Sequence, residues 1–197
     1  MGLLAGNAIY ESGSIMYGGR DLMQIPEELF HEIRGSKISM IFQDPMSSLN
    51  PIIPVGKQIA EALIFKMGMT KEMAKRKAIE LMEQVGITEA EKRYQQYPFQ
   101  FSGGMRQRIV ISIALANNAE VLICDEPTTA LDVTIQGQIL ELIEKLKVER
   151  NLSVIFITHD LGVVANVANR IAVMYAGKIV EIGTAEEDHA DDICAMS

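Results

Sequence analysis

Two consecutive acidic residues follow a short apolar run, and their types and spacing suit phosphoryl-transfer chemistry. Asp125 and Glu126 come directly after residues 121–124, which are all apolar. Mg²⁺ prefers oxygen ligands, so Asp125 is a candidate ligand of that ion. Glu126 could accept a proton from an attacking water as a general base, and Pro127, with its fixed φ, stiffens the chain behind the pair. The pair therefore indicates metal-assisted phosphoryl transfer.

Polar residues also end two other apolar runs. Gln43 follows residues 38–42, and Thr158 and His159 follow residues 154–157. Each exit alone is typical of a strand that simply meets water, and a lone histidine is more often structural than catalytic. A parallel sheet, however, brings the carboxyl ends of its strands to one edge, where ligands bind. We therefore expect Gln43, the acidic pair and His159 to be neighbours at that edge.

A serine followed by two glycines forms a third candidate site. Ser102 is a typical helix N-cap, and a helix that begins there directs unpaired backbone amides and a positive dipole end toward an anion. Gly103 and Gly104 lack Cβ atoms, which lets a phosphate approach the backbone closely. A plain helix cap with a flexible entry explains the same residues equally well. Taken alone, the segment leaves both interpretations open.

The elements that must position these residues follow from the spacing of apolar residues. Apolar runs with β-branched residues predict buried strands at 38–42, 121–124 and 154–157. The predicted helices bury three apolar sets: Ala74, Ala78, Leu81, Met82 and Val85; Ile109, Val110, Ile113, Ala114 and Asn117; and Ile135, Ile139, Leu142, Ile143 and Leu146. A further helix is predicted by the helical spacing of Val55, Ile59, Ala62 and Leu63. Strands without alternation, separated by helices, indicate a parallel sheet covered on both faces.

Two further segments have recognisable signals. Residues 45–54 contain three prolines and are expected to form an ordered loop, and a hairpin is predicted at 171–175 and 178–182. The prediction is therefore an α/β fold with an inserted helical subdomain in one domain, 1–197. Its expected parts are a core lobe at 1–44 and 118–185, a helical subdomain at 45–117 and a tail at 186–197.

Composition excludes several classes of protein. The chain has 197 residues, is 48% hydrophobic and carries a net charge of −8. It can therefore bury a core, but its acidic balance gives no general attraction for nucleic acid. No apolar stretch approaches the roughly 18 residues of a membrane span. Two cysteines cannot form a disulfide framework, which suits a reducing compartment.

Five segments together resemble the motifs of the ATP-binding cassette ATPases, in the order of that family. Gln43 matches the Q-loop glutamine and His159 the switch histidine. Residues 101–108 (FSGGMRQR) resemble the signature motif, 121–126 (VLICDE) the Walker B strand and 129–132 (TALD) the D-loop. The set is very specific as a whole, although each motif alone is weak. It implies a P-loop NTPase-like fold that binds ATP and Mg²⁺.

The resemblance also implies a role for each matching residue. Glu126 and His159 would be catalytic, and Asp125 and Gln43 would hold Mg²⁺, with Gln43 also near the nucleotide. A second cassette would bind head to tail, and its nucleotide would be contacted by Ser102, Gly103, Gly104, Met105 and Asp132.

Three segments resemble one subtype, the oligopeptide, dipeptide and nickel importer ATPases. These are residues 42–51 (FQDPMSSLNP), the run Gly-Met-Arg-Gln-Arg that ends at Arg108, and residues 132–140 (DVTIQGQIL). Met105, at the last signature position, resembles the D-type subunit, which pairs with a glutamine-bearing F-type subunit. The resemblance implies two membrane-spanning permease partners and a position on the cytoplasmic face of the cell membrane. It leaves the transported solute open.

One expected motif is absent from the sequence. The 197 residues contain no P-loop pattern, G-x-x-x-x-G-K-[ST]; their Gly-Lys pairs are Gly56-Lys57 and Gly177-Lys178, without the upstream glycine or the hydroxyl residue. We therefore expect a cassette truncated at its N-terminal side, just downstream of the P-loop. The alternative is a degenerate, non-hydrolysing cassette that acts as a binding or regulatory partner. A cassette of DNA repair or translation is disfavoured by residues 42–51 and by the acidic charge.

Overall fold

A computed structural model of the chain describes residues 12–129 and 131–184. The strands in these two ranges are β1 (Met16–Tyr17), β2 (Arg20–Asp21), β3 (Ile38–Ile41), β4 (Val121–Asp125), β5 (Ser153–Ile157), β6 (Arg170–Tyr175) and β7 (Lys178–Thr184). The α-helices there are α1 (Glu27–Ile33), α2 (Pro45–Ser48), α3 (Val55–Met67), α4 (Lys71–Gln84), α5 (Ala90–Arg93), α6 (Gly103–Leu115), α7 (Val133–Arg150) and α8 (Leu161–Val167). A 3₁₀ turn covers Pro98–Gln100. Neither the predicted tail nor residues 1–11 belong to the described part.

A three-stranded parallel sheet of order β3-β4-β5 forms the centre of the fold. Its register aligns Ile41 with Cys124 and Cys124 with Phe156, so the three strands end at one edge. The α/β class predicted from the alternation of apolar runs and helices is thereby confirmed. The predicted hairpin is also present, as β6 and β7 pair antiparallel.

The burial of the sheet differs from the prediction. On one face Ile41, Leu122 and Cys124 are fully buried, in a core that they share with α6 and α7. On the other face, Ile155 is 53% exposed and Ile157 is 46% exposed. The prediction that strands 121–124 and 154–157 are fully buried is therefore wrong for the described residues. An apolar run without alternation indicates that both faces are apolar, but it does not show which of them the surrounding helices cover.

Five helices lie between β3 and β4 in the sequence, and their buried residues follow the predicted spacing. Ala74, Ala78, Leu81, Met82 and Val85 are all buried. The Thr70 hydroxyl caps α4 by accepting a hydrogen bond from the Met73 amide. The prediction for α6 is too narrow, because Ile111 and Ser112 are also fully buried. Packing against α3 and α4, the β3 strand and α7 surrounds this helix on several sides.

The segment 45–54 begins with a helical turn that the prediction of a loop missed. Pro45 is suited to the first position of a helix because it lacks an amide proton and its φ is fixed. Asp44 completes the turn, accepting hydrogen bonds from the Ser47 amide through its carboxylate and from the Ser48 amide through its carbonyl. The rest of the segment is an ordered loop as predicted, since the Gln58 side chain bonds the backbone of Asn50.

Two arginines connect the C-terminal end of α4 to α6 and α7. Arg150, the last residue of α7, donates to the Leu115 carbonyl at 3.0 Å and to Gln84 Oε1 at 2.6 Å. Arg108 on α6 donates to the Val85 carbonyl at 2.6 Å and to Gln138 Oε1 on α7 at 3.3 Å. The two side chains therefore tie three helices together at one point.

Cys124 is an internal probe of unfolding. It is fully buried, and burial raises the pKa of its thiol to about 12. Because the thiolate is the reactive species, we expect Cys124 of the folded chain to resist iodoacetamide at pH 8 and to react readily in denaturant. Mass spectrometry of a Cys194→Ser chain measures this reaction at Cys124 alone. Equal rates of labelling with and without denaturant would contradict the buried position.

Candidate functional site

The Glu126 carboxylate is the centre of a cluster at the carboxyl edge of the sheet. Gln43 Nε2 and Thr129 Oγ1 each donate a hydrogen bond to Glu126 Oε2 at 2.8 Å. His159 Nδ1 lies 3.1 Å from the other oxygen, Oε1. Gln43, Glu126 and His159 come from the ends of three different strands. The structure thus brings together three of the four side chains that the sequence predicted to be neighbours; the fourth, Asp125, precedes Glu126 in the chain.

The backbone of Glu126 is held in an uncommon conformation. Its φ is +44°, in the left-handed region that non-glycine residues rarely adopt. The Glu126 amide donates to the carbonyl of Ile157, the last residue of β5, at 2.9 Å. Such strain persists only where neighbouring contacts enforce it, and it is concentrated at functional sites. Here it turns the side chain away from the β4 strand and toward Gln43 and His159.

The contact with Glu126 fixes the tautomer of His159. A carboxylate only accepts hydrogen bonds, so the proton of the imidazole must be on Nδ1. In the neutral ring Nε2 is then an acceptor. The side chain of His159 is 77% exposed, whereas that of Glu126 is 24% exposed. His159 can therefore present Nε2 to a bound substrate while its other nitrogen remains on Glu126.

The hydrogen bonds keep Glu126 ionised. Donation by the Thr129 hydroxyl is the largest cause that lowers the pKa of Glu126, followed by donation from His159 and, more weakly, from Gln43. Each donor stabilises the charged form of the carboxyl group, which opposes its protonation. An ionised carboxylate at the end of a strand is able to orient a water molecule and accept its proton.

Asp125 and Gln43 carry the oxygen atoms that suit a magnesium ion. Asp125 is the last residue of β4, and Gln43 lies two positions beyond β3, the neighbouring strand. Because the Gln43 amide nitrogen donates to Glu126, its amide oxygen is the atom available to a cation. Within the described ranges no group of three or more His, Cys, Asp or Glu could hold a metal. The two oxygen donors of Asp125 and Gln43 fit Mg²⁺, which keeps waters and substrate phosphates among its ligands.

The Ser102 segment forms the helix start that the sequence predicted. The Ser102 hydroxyl accepts a hydrogen bond from the Met105 amide at 3.3 Å and so caps α6. Asp132 caps α7 in the same way, with Oδ1 accepting from the Ile135 amide at 3.0 Å. Both side chains therefore have a structural role that is independent of any ligand.

The two glycines of this segment pack against α7. A Cβ atom at Gly103 would lie 3.5 Å from Leu131, and one at Gly104 would lie 2.5 Å from Ile135 Cγ2. The contact at Gly103 is an ordinary one, whereas the absence of a Cβ atom at Gly104 allows the starts of α6 and α7 to approach each other. This packing requirement was missed from the sequence, which suggested only the approach of a phosphate.

The candidate residues fall into two groups. Gln43, Glu126 and His159 are linked by hydrogen bonds, and Asp125 adjoins them in the chain. Among the described residues no hydrogen bond joins residues 102–105 to that cluster. Thr129 belongs to the first group, but its contact with Glu126 was not predicted from the sequence. The available signal was a hydroxyl residue three positions after a candidate base.

Comparisons with known proteins assign the chain and its fold to one family. The sequence pattern of the ABC transporter family matches residues 1–129, and the chain belongs to that family. It resembles a solved dimeric structure of the ATP-binding cassette MJ0796 in a post-hydrolysis state bound to ADP and Pi. That likeness has a TM-score of 0.77 and 28% identity over 89% of this chain and 74% of that one.

The curated relatives that the chain resembles include ATP-binding proteins of peptide transport. The chain is 59% identical to the oligopeptide transport ATP-binding protein OppD of Bacillus subtilis over 90% of its own length, and 57% identical to the dipeptide transport ATP-binding protein DppD of Lactococcus lactis over 95%. It covers 50% and 54% of those proteins, so it spans about half the length of the relatives it matches. In the described part of the chain, no helix is long and apolar enough to cross a membrane.

Proposed function

We propose that the chain is the ATP-hydrolysing part of a cassette that drives the import of peptides or related solutes. The observation that carries this proposal is the hydrogen-bonded arrangement of Gln43, Glu126 and His159 at the carboxyl edge of the sheet. A water molecule placed against Glu126 would lose a proton to the carboxylate as its oxygen bonds to the terminal phosphorus, while the bond from that phosphorus to the bridging oxygen breaks and ADP leaves. With a proton on Nε2 as well as on Nδ1, His159 would donate to an oxygen of that phosphate from Nε2 while Nδ1 donates to Glu126.

Mg²⁺ and the second cassette complete the proposed site. Asp125 and Gln43 would hold the ion, which supplies positive charge against the phosphate oxygens when bound. The amides at the start of α6 would face the nucleotide of a second cassette placed head to tail, through Ser102, Gly103, Gly104, Met105 and Asp132. The dimeric form of the solved cassette MJ0796 supports this pairing.

The type of transporter is proposed from the relatives and from the sequence. OppD, DppD and AmiE are named as transport ATP-binding proteins for oligopeptides or dipeptides. We therefore propose two membrane-spanning permease subunits as partners and a position on the cytoplasmic face of the membrane. Oligopeptides, dipeptides and nickel complexes are the candidate solutes, because residues 42–51 and 132–140 resemble the importer ATPases for all three.

A non-hydrolysing cassette is the second candidate, since the 197 residues contain no P-loop pattern. Residues 1–197 alone are expected to bind ATP weakly and to hydrolyse it barely, because nothing in their sequence supplies the amide cradle and lysine that hold the β- and γ-phosphates. Fluorescent-nucleotide titration and phosphate release measure both properties. Turnover equal to that of an intact cassette would contradict this expectation.

Mixing the chain with an intact F-type subunit tests the proposed function. If residues 102–105 complete the nucleotide site of the partner, the ATPase rate of the mixture exceeds that of the partner alone. A Gly103→Asp chain is the matched control, because its Cβ would meet only an ordinary contact, 3.5 Å from Leu131, while the side chain adds negative charge at the proposed phosphate site. The proposal further requires that the complete gene product hydrolyse ATP when paired with the same subunit. Absence of turnover in that pair would favour the non-hydrolysing cassette.

A further inference from the structure

Thr129 makes a contact with Glu126 that the turn itself does not require. Thr129 lies three residues after Glu126, and its hydroxyl donates to Glu126 Oε2 at 2.8 Å. The same turn is already closed by the backbone, because the Thr129 amide donates to the Glu126 carbonyl at 3.2 Å. Replacing the hydroxyl by a methyl group would therefore leave the hydrogen bond of the turn in place.

The distribution of donors makes the two oxygens of Glu126 unequal. Each carboxylate oxygen offers about two lone-pair positions. Oε2 receives both Gln43 and Thr129, whereas Oε1 receives His159 alone. The acceptor position that remains is thus on Oε1, on the side of His159. A water molecule in the cluster would meet this oxygen.

Of the three donors to the Glu126 carboxylate, Thr129 is the one most firmly held beside it. Gln43 is exposed and comes from a different segment, and the side chain of His159 is 77% exposed. Thr129 is partly buried and lies in the same turn as Glu126. If Gln43 moves to a metal ion, Thr129 is the remaining donor that holds Oε2 and prevents rotation of the carboxylate.

We infer that Thr129 is a positioning residue for hydrolysis, which holds Glu126 Oε2 so that Oε1 faces the attacking water. This inference rests on the proposed function of Glu126. Thr129 itself touches neither the water nor the phosphate, so it acts only through the carboxylate. Without its hydroxyl the carboxylate samples other orientations, and the fraction of time spent in the reactive one falls.

Substitutions in the complete gene product, paired with its F-type subunit, test the inference. Thr129→Val keeps the shape of the side chain and removes the donor. We expect kcat to fall about tenfold or more, since misplacing a reacting group by about 1 Å costs as much as 10²-fold, while KM for ATP changes less than about twofold. Thr129→Ser keeps the hydroxyl and is expected to retain most of the activity. Thr88→Val, the same change at an exposed loop residue, is the control.

A double substitution separates positioning from a general effect on the fold. In a Glu126→Gln background Thr129→Val should not lower the residual single-turnover rate further, because residues that act as a unit are not additive. Full activity of Thr129→Val, equal loss in Thr129→Ser, or a further loss in the double variant would each overturn the inference. If Thr129→Val does not fold, Thr129→Ala is measured in its place. Loss of ATPase activity in the unsubstituted pair would instead contradict the proposed function.

Discussion

Glu126→Gln is expected to lower the rate of ATP hydrolysis by a factor of about 10² or more, because a positioned general base contributes about 10²–10⁴-fold. The amide of glutamine cannot accept the proton of the attacking water, yet its size allows hydrogen bonding to Gln43, Thr129 and His159 to persist in part. Binding of ATP should therefore change little. Phosphate release and nucleotide binding by the full-length protein, paired with the proposed F-type subunit, measure the two effects separately.

The control for this substitution is Glu141→Gln, which removes the same charge from an exposed position on α7. It should leave both hydrolysis and binding unchanged. Unaltered turnover by the Glu126→Gln pair would show that Glu126 is not the base. Loss of ATP binding together with turnover would instead assign Glu126 a role in holding the nucleotide.

Gly104→Ala is expected to destabilise the fold, although alanine favours helices. The new Cβ atom would lie 2.5 Å from Ile135 Cγ2, a separation that non-bonded carbons do not adopt. Overpacking of this kind costs about 1–3 kcal/mol, and relief of the clash moves the start of α6 away from α7. Urea denaturation measures the loss of stability. Because the displaced residues are those proposed to face the partner's nucleotide, the ATPase rate of the mixed pair should fall as well.

Two further substitutions decide whether the contact with Ile135 is the cause. Ile135→Ala removes Cγ2, so the double variant should be more stable than the sum of the two single effects predicts. Gly137→Ala places the same methyl group on α7 where no atom lies within 4 Å of the new Cβ. There the helix propensity of alanine should raise stability by up to about 1 kcal/mol. An equal effect of alanine at positions 104 and 137 would contradict the steric argument.

The edge of the sheet could be predicted from the sequence because parallel strands share a direction. Once residues 38–42, 121–124 and 154–157 were interpreted as strands, Gln43, Glu126 and His159 had to lie at one edge. The buried face of α7 followed equally directly, since Ile139, Leu142, Ile143 and Leu146 recur at helical spacing and are all buried. In both cases a local periodicity determines the outcome.

Features that depend on neighbours from distant parts of the chain were not predicted. The exposure of Ile155 depends on which elements cover its face, and the wide burial of α6 depends on contacts with helices on several sides. Thr129 was assigned to a motif, but its hydrogen bond requires the left-handed φ of Glu126, which no residue type signals. The α2 turn was missed because prolines indicate a loop unless a residue such as Asp44 provides the cap.

Arg150 also anchors the C-terminal end of α6. It holds the last carbonyl of that helix, at Leu115, against the end of α4. Gly103 lies twelve residues before Leu115, and a rise of about 1.5 Å per residue places it about 18 Å from the carbonyl that Arg150 holds. A rotation of α6 by about 10° about its C-terminal end would move its N-terminal end by about 3 Å, which is about the donor–acceptor distance of a hydrogen bond. A small tilt of α6 at its C-terminal end would therefore make or break the ligand contact proposed for its N-terminal end.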